Sequence, residues 1–358
     1  MNIVICGAGV IGTAIAYALA ERGVGATLVE AVAPACAASG KSGGFLALDW
    51  CDGSPMQALA RRSFALHQDL GRRFGERTGY RALDTLAVVA TEVPYDLSEY
   101  AKLENPAWLH ERCAVTAQLG AATSTAQVHP GGLTHMFLDE ATASGAKLVQ
   151  GSIEAIHHQA GQVSGVTVDG TRMDADVVVV AMGPWSTQAS AWLPLPTVNG
   201  ERGASIILKP RQPVAACALF GQFIDQRGES FGPEIFPRPD GTVYMCGVPD
   251  RVALPSDAAD ITPSEEAIAT LKTIARTLSD DFADATVTHE QACFRPIVHD
   301  AQPVMGLVPG VTGAYVATAH NCWGILNAPA SGEAMAELIL DGVTSQVDLR
   351  AFDPARLM

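Results

Sequence analysis

Three glycines and an acid, Gly7, Gly9, Gly12 and Glu30, have the types and the spacing to hold a dinucleotide. In G-x-G-x-x-G order the first glycine permits a tight turn. The second lets the backbone approach a pyrophosphate, and the third lets a helix lie close on a sheet. Glu30, about twenty residues further on, suits the hydroxyls of an adenosine ribose, and its charge disfavours a 2′-phosphate there. A second stretch, Ser39-Gly40-Lys41-Ser42-Gly43-Gly44, offers backbone N–H groups, hydroxyls and an ammonium to the same pyrophosphate; its plainer reading is a flexible loop. Far along the chain, "CFRP" places the Arg295 guanidinium in an otherwise apolar strand, whose pairing Pro296 should end. A buried arginine is costly unless paired, and its planar fork matches a carboxylate. Arg295 is therefore the candidate anchor for an anionic substrate, with a structural salt bridge as the alternative.

Particular elements must position these residues. Asn2 to Cys6 is a short apolar run suited to a buried parallel strand, Ile11 to Ala20 a helix rich in small residues, and Ala26 to Val29 a second strand. The helix amino end then turns its N–H groups and positive dipole towards the phosphates. A lone glycine motif is a weak signal, but strand, turn, helix, strand and acid in order make a specific one, without saying which dinucleotide. Downstream, a helical pattern covers 56–75, "LAVVAT" is a strand, and 95–119 reads as mostly helical. His129-Pro130-Gly131-Gly132 leads into another helix. A meander of strands follows, with turns at Ala160-Gly161 and Asp169-Gly170, and it ends on the buried strand 176–181 and the turn Gly183-Pro184. From Glu201 the strands "GASIILKP", "ALFGQFID", "EIFPRPDGTVYMCG" and "QACFRPI" predict a mainly antiparallel sheet with one helix over 263–278. From Ala314 come an apolar strand, a loop and the helix "APASGEAMAELIL", with Pro329 in its first turn and Ser331 and Glu333 close behind.

The fold class is α/β: a Rossmann-type domain from residues 1–58, 125–200 and 290–358, with an inserted α+β substrate domain from 59–124 and 201–289. The chain has 358 residues, 48% of them hydrophobic and 17% charged, with 38 acidic against 23 basic side chains and a net charge of −15. That balance argues against a nucleic-acid or anionic-membrane partner. The densest basic stretch, Arg61, Arg62, Arg72, Arg73 and Arg77, falls on an amphipathic helix and reads as its solvated face. Eight cysteines without a C-x-x-C pair, and no zinc-like spacing of His and Cys, point to free thiols, no metal and a reducing compartment. There is no leader and no apolar run of about 18 residues, so a cytoplasmic protein without a membrane span is expected. Oligomeric state is not legible.

Four segments together, "GAGVIGTAIAYALAERG" with Glu30, "ASGKSGGFLA", "DVVVVAMGPWS", and "CFRPIVHDAQPVMG" with "HNCWGILNAPASGEAMAELI", resemble the FAD-dependent amino acid oxidase/dehydrogenase (DAO) family, which includes D-amino acid oxidase, glycine oxidase and sarcosine oxidase. Within it, "GKSGGFLALDW" and "HNCWGILNAPASG" look closest to the Tda3-like oxidoreductases. The resemblance implies FAD rather than NAD, held non-covalently. It extends the expected cofactor site from Gly7, Gly9, Gly12, Glu30 and the 39–44 loop to Val10, Ile11, Ile153, Ala181, Gly183, Trp185, Cys322, Trp323, Gly324, Ile325 and Leu326. It also implies a small amino acid or amine as substrate, oxidised at its C–N bond by hydride transfer to flavin, with its carboxylate on Arg295. No dedicated base is implied; His320 is a candidate to polarise flavin or substrate, or else a structural histidine. Two positions depart from the family pattern. Glu234 stands where glycine oxidase shows a tyrosine that assists carboxylate binding, and Cys322 where it shows an arginine. Glu234 either binds a positive group of the substrate or pairs with Arg295 or Arg238. These departures keep a second function open, a weakly catalytic or non-catalytic FAD-binding assembly factor.

Overall fold

The computed structural model describes residues 1–250 and 252–358. A six-stranded sheet carries the amino-terminal glycine motif. Its order is Val304–Leu307, Ala314–Thr318, Val177–Val180, Ile3–Cys6, Thr27–Glu30, Lys147–Gln150, parallel throughout except for the first strand. Ile3–Cys6 and Val177–Val180 are buried at every position, as their uninterrupted apolar sequence requires. Ile3, Ile5, Val177 and Val179 face a core formed with three helices, α1 (Val10–Glu21), α3 (Pro130–Ala143) and α5 (Gly324–Asp341), to which α2 (Gln57–Phe74) adds a second layer. Val4, Cys6, Val178 and Val180 face the other way, onto the small meander 153–174. That meander turns at Ala160-Gly161 and Asp169-Gly170, all four with positive φ, as the sequence indicated.

A second, eight-stranded sheet is ordered Thr286–Ile297, Asn199–Lys209, Val243–Asp250, Glu234–Pro237, Cys217–Ile224, Asp84–Thr91, Ala114–Gly120, with Ser230–Phe231 pairing on Cys217–Ile224. Only the pair Cys217–Ile224 with Asp84–Thr91 is parallel. Helix α4 (Glu265–Leu278), capped by the Ser264 hydroxyl, packs Ile268, Leu271 and Ile274 on one face of this sheet. The other face turns towards the first sheet.

Two local expectations fail for identifiable reasons. Residues 95–119 form no helix: Asn105 donates to the carbonyls of His110 and Cys113 and accepts from Val115 N–H. This one side chain fixes a loop, and the segment ends in the sheet-edge strand Ala114–Gly120. Nor does Pro296 end its strand, because Thr286–Ile297 lies at the sheet edge and Pro296 stays in register opposite Gly200. An edge strand tolerates the missing N–H. The arginines of α2 pair with acids, Arg61 with Asp52, Arg62 with Glu333, Arg72 with Asp69 and Arg73 with Glu21, as does Arg77 just beyond the helix, with Asp139 and Glu140.

Candidate active site

At the carboxyl end of Ile3–Cys6 the chain turns through Gly7, whose φ is +104° and whose N–H donates to Val29 O at 2.7 Å. A Cβ on Gly7 would lie 2.6 Å from the carbonyl oxygen of Ala181, and one on Gly12 would lie 2.1 Å from that of Gly7. The turn is thus closed against a neighbouring strand on one side and the first turn of α1 on the other. Glu30 braces it: its carboxylate oxygens accept from Ala8 N–H at 2.9 Å and Val32 N–H at 3.0 Å. Each oxygen keeps lone-pair capacity for a ligand hydroxyl. The first i−4 bond of α1 is Thr13 N–H to Gly9 O, so the amides of Val10, Ile11 and Gly12 precede the helical ladder. Ser39 Oγ accepts from Val10 N–H at 2.8 Å, leaving its own proton to donate to an anion in front of the helix.

A cavity of about 480 Å³ runs from this turn to the second sheet. Its walls unite Gly7, Gly9, Val10, Ile11, Glu30, Ser39, Ser42, Gly43, Ile153, Ala181, Gly183 and Trp185 with Glu234, Arg295, His320, Cys322, Gly324 and Ile325. Trp185 is pinned by its indole N–H to Pro255 O at 2.8 Å. The other predicted positions stand behind the wall. Gly12, Gly40 and Gly44 are where a Cβ would strike backbone carbonyls at 2.1 Å, and Leu326 is in the core. Trp323 lies edge-on to Trp50, with ring centroids 6.3 Å apart. Lys41 is tied at its backbone, its carbonyl accepting from Gln291 Nε2 at 3.3 Å.

The far end of the cavity is floored by one face of the second sheet. Register places Glu234 opposite both Phe220 and Cys246, Gly203 opposite Cys293, and Glu201 opposite Arg295. Arg295 is not buried: its side chain is 41% exposed, and Nη2 donates to Glu201 Oε2 at 2.7 Å. The edge position explains both facts, and the rest of the fork faces the cavity that Arg295 lines, beside the Cys322 thiol. Glu234 meets neither Arg295 nor Arg238 in an ion pair; Arg238 donates to Ser42 O and stacks on Tyr244. Among the described residues the one hydrogen-bond partner of Glu234 is the Cys246 thiol, 3.6 Å away. Burial raises the carboxyl above its usual range, and the more distant Arg295 partly offsets this.

Helix α5 closes the cavity, and it begins earlier than its sequence suggests. It starts at Gly324, so Pro329 lies in the helix interior rather than its first turn. Proline has no N–H for the carbonyl four residues back, here Ile325. Helix α2 repairs the gap from outside. Ser63 Oγ accepts from Ala330 N–H at 3.0 Å, and His67 Nε2 lies 3.0 Å from both Ile325 O and Leu326 O. Carbonyls only accept, so Nε2 carries the proton; burial holds the ring neutral, its pKa lowered to about 4. No local signal near Pro329 foretells two partners more than 260 positions away, though the i, i+4 spacing of Ser63 and His67 marks them as one helix face. The same helix holds His320, whose Nε2 is 3.0 Å from Ser331 Oγ and whose pKa is lowered by burial to about 3.

These walls fit a flavin dinucleotide on two observations. The glycine cradle admits a pyrophosphate where a Cβ cannot go. At the α5 end, His320 Nδ1, Asn321 Oδ1 and Ser42 Oγ are buried without a hydrogen-bond partner among the described residues, while their residues line the cavity. Buried polar atoms of this kind call for a polar ligand.

Comparison with known proteins points the same way. The model of the DAO family, described as FAD dependent oxidoreductase, matches residues 2–338. The Schizosaccharomyces pombe oxidoreductase C1F5.03c is 30% identical over 384 residues, covering 99% of this chain and 97% of the other. The Saccharomyces cerevisiae oxidoreductase TDA3 is 28% identical over 277 residues, covering 66% of this chain and 52% of its own length. Glycine oxidase of Pseudomonas aeruginosa is 28% identical over 378 residues, 99% of this chain and 98% of the other. Among solved structures, glycine oxidase from Geobacillus kaustophilus shares the fold with a TM-score of 0.80 at 22% identity, covering 100% of this chain and 99% of that one. No helix among the described residues is long and apolar enough to cross a membrane.

Proposed function

The chain belongs to the DAO family of FAD-dependent oxidoreductases, and from that premise we propose that it oxidises the C–N bond of an amino acid or related amine, as oxidase or dehydrogenase, with Arg295 holding the substrate carboxylate. The observation that carries this reading is the single cavity joining the Gly7–Gly9–Glu30 cradle to Arg295 and Glu234. FAD, held without a covalent link by the glycine turn, Glu30 and the amino end of α5, would supply the acceptor for a hydride from the carbon bearing the amine.

The protein's share is placement. Arg295, restrained by Glu201, keeps its fork oriented before substrate arrives, so little side-chain freedom is lost on binding. Partial positive charge at the amino end of α5, beside Gly324 and Ile325, stabilises negative charge that develops in the cavity, an effect of about 1 kcal/mol. His320 remains neutral at physiological pH, since burial lowers its pKa to about 3; it acts as a hydrogen-bonding group rather than a cation. Water then hydrolyses the imine product to a carbonyl compound and an amine.

The test is anaerobic bleaching of the flavin band by a panel of D- and L-amino acids, N-alkyl glycines and diamino acids, followed by Arg295→Met. Loss of the carboxylate fork should lower the bleaching efficiency of amino acids about a hundredfold, while amines lacking a carboxylate change little. A flavoprotein that no amine bleaches would refute the enzyme reading and favour a non-catalytic FAD-binding role.

A further inference from the structure

The cavity contains a charge that carboxylate binding does not use. Glu234 lines it, is partly buried, and has only a thiol in hydrogen-bond contact among the described residues. Arg295 acts on it from a distance, but no cation pairs with it directly among the described residues. Arg295 donates Nη2–H to Glu201, Arg238 is held by Ser42 O and the Tyr244 ring, and no salt bridge reaches Glu234 among the described residues. A carboxyl shielded from water is held as the ion when a ligand supplies a cation beside it. Aromatic rings gather beside it. Phe220 is its direct cross-strand neighbour, Trp50 packs on Phe220 with centroids 4.9 Å apart, and Trp323 stands edge-on to Trp50, so these rings fix the strand behind the cavity wall and do not line it. A carboxyl group that lines the cavity without an ion pair suits the cationic nitrogen of an alkylammonium group.

We propose that Glu234 is an alkylammonium subsite, separate from the carboxylate anchor Arg295, and that it selects substrates presenting a cationic nitrogen beside or beyond their carboxylate. This rests on the amine-oxidising reading. The two anchors have opposite sign and sit on one sheet face: Glu234 is two strands in from Glu201, the cross-strand partner of Arg295. A substrate carboxylate on Arg295 would be repelled by Glu234 if it came alone; a zwitterion satisfies both. The cation has two sources, the amine to be oxidised or a second amino group of a diamino acid, and both offer the same chemistry to Glu234.

A pair of ligands of equal shape isolates the charge. Trimethylglycine carries a carboxylate and a quaternary ammonium without a lone pair to oxidise, and 3,3-dimethylbutanoate replaces that nitrogen with carbon. Each is titrated into the FAD-bound protein, with perturbation of the flavin spectrum as the readout. The wild type should bind trimethylglycine about tenfold more tightly than its neutral counterpart, and Glu234→Gln should bring the ratio to about one. Unchanged FAD content and melting temperature in E234Q establish that the variant is folded. Equal binding of the two ligands by the wild type, failure of trimethylglycine to bind, or a preference that persists in E234Q overturns the subsite. If amines bleach the flavin while the ligand pair is not discriminated, the subsite fails and the enzyme reading stands; if no amine bleaches it, that reading fails. Source is separated by the same variant. A uniform rise in KM across monoamino and diamino acids identifies the reacting amine, and a loss confined to diamino acids identifies the second amine.

Discussion

Pro329 makes α5 depend on α2, and the dependence is measurable. In His67→Leu the carbonyls of Ile325 and Leu326 lose their buried donor. An unsatisfied buried acceptor costs about 1–3 kcal/mol, so a loss of about 2 kcal/mol is expected after partial relaxation. Pro329→Ala supplies a backbone N–H four residues after Ile325 and removes a helix-breaking ring, so in that background His67 is partly redundant. The two substitutions should therefore couple by about 1 kcal/mol, with the double variant more stable than the sum of the single effects predicts. At about 2 °C per kcal/mol for a chain of this length, His67→Leu lowers the melting temperature by roughly 4 °C in the proline background and roughly 2 °C in the alanine one. His67→Gln, which keeps a donor near the same place, should recover most of the loss. Since Gly324 and Ile325 line the cavity, the FAD dissociation constant should follow the same order across the variants. Effects on stability and FAD affinity that add within about 0.4 kcal/mol would refute the repair mechanism, because independent sites behave that way.

Two further outcomes follow from the geometry. Burial depresses His67 to about 4 and His320 to about 3 in the folded protein, against about 6.5 when unfolded. The unfolded state then binds more protons below pH 6.5, so stability is full above that value and falls as pH drops towards 4. Urea midpoints across this range should decline with an uptake approaching two protons, and His67→Gln should remove about one; a flat profile would contradict the buried neutral rings. Gly7→Ala forces a Cβ to within 2.6 Å of Ala181 O at a φ of +104°, and should yield protein that purifies without FAD. Retention of a full complement of FAD by that variant would show that the turn can open without loss of the cradle.

What the sequence disclosed was local. The glycine turn, Glu30 and the Ser39 loop lie within the first 44 residues, and each is specified by its own short pattern. Strands and turns of the meander were legible for the same reason, since Ala160-Gly161 and Asp169-Gly170 carry their own turn chemistry. What escaped depends on register or on distant partners. Whether Arg295 is buried or half-exposed turns on its strand being an edge, and its pairing with Glu201 on a register no local motif encodes. Residues 95–119 carry enough helix formers to mislead, and one side chain, Asn105, settles the contest in favour of a loop. Pro329 reads as a helix start because prolines favour the first turn; Ser63 and His67 let it sit inside.

The order of strands in the six-stranded sheet sets a timetable for synthesis. Ile3–Cys6 and the glycine turn leave the ribosome well before one strand that flanks them, Val177–Val180, and Ala314–Thr318 with α5 follows later still. At 5–20 residues per second the turn waits roughly 15–60 s for the strand and helix that complete its surroundings. Through that interval the nascent chain exposes apolar strands whose neighbours do not yet exist. FAD capture is therefore expected only after Ala314–Thr318 and α5 have been made, and a polypeptide ending before Ala314 should carry the glycine motif without retaining FAD.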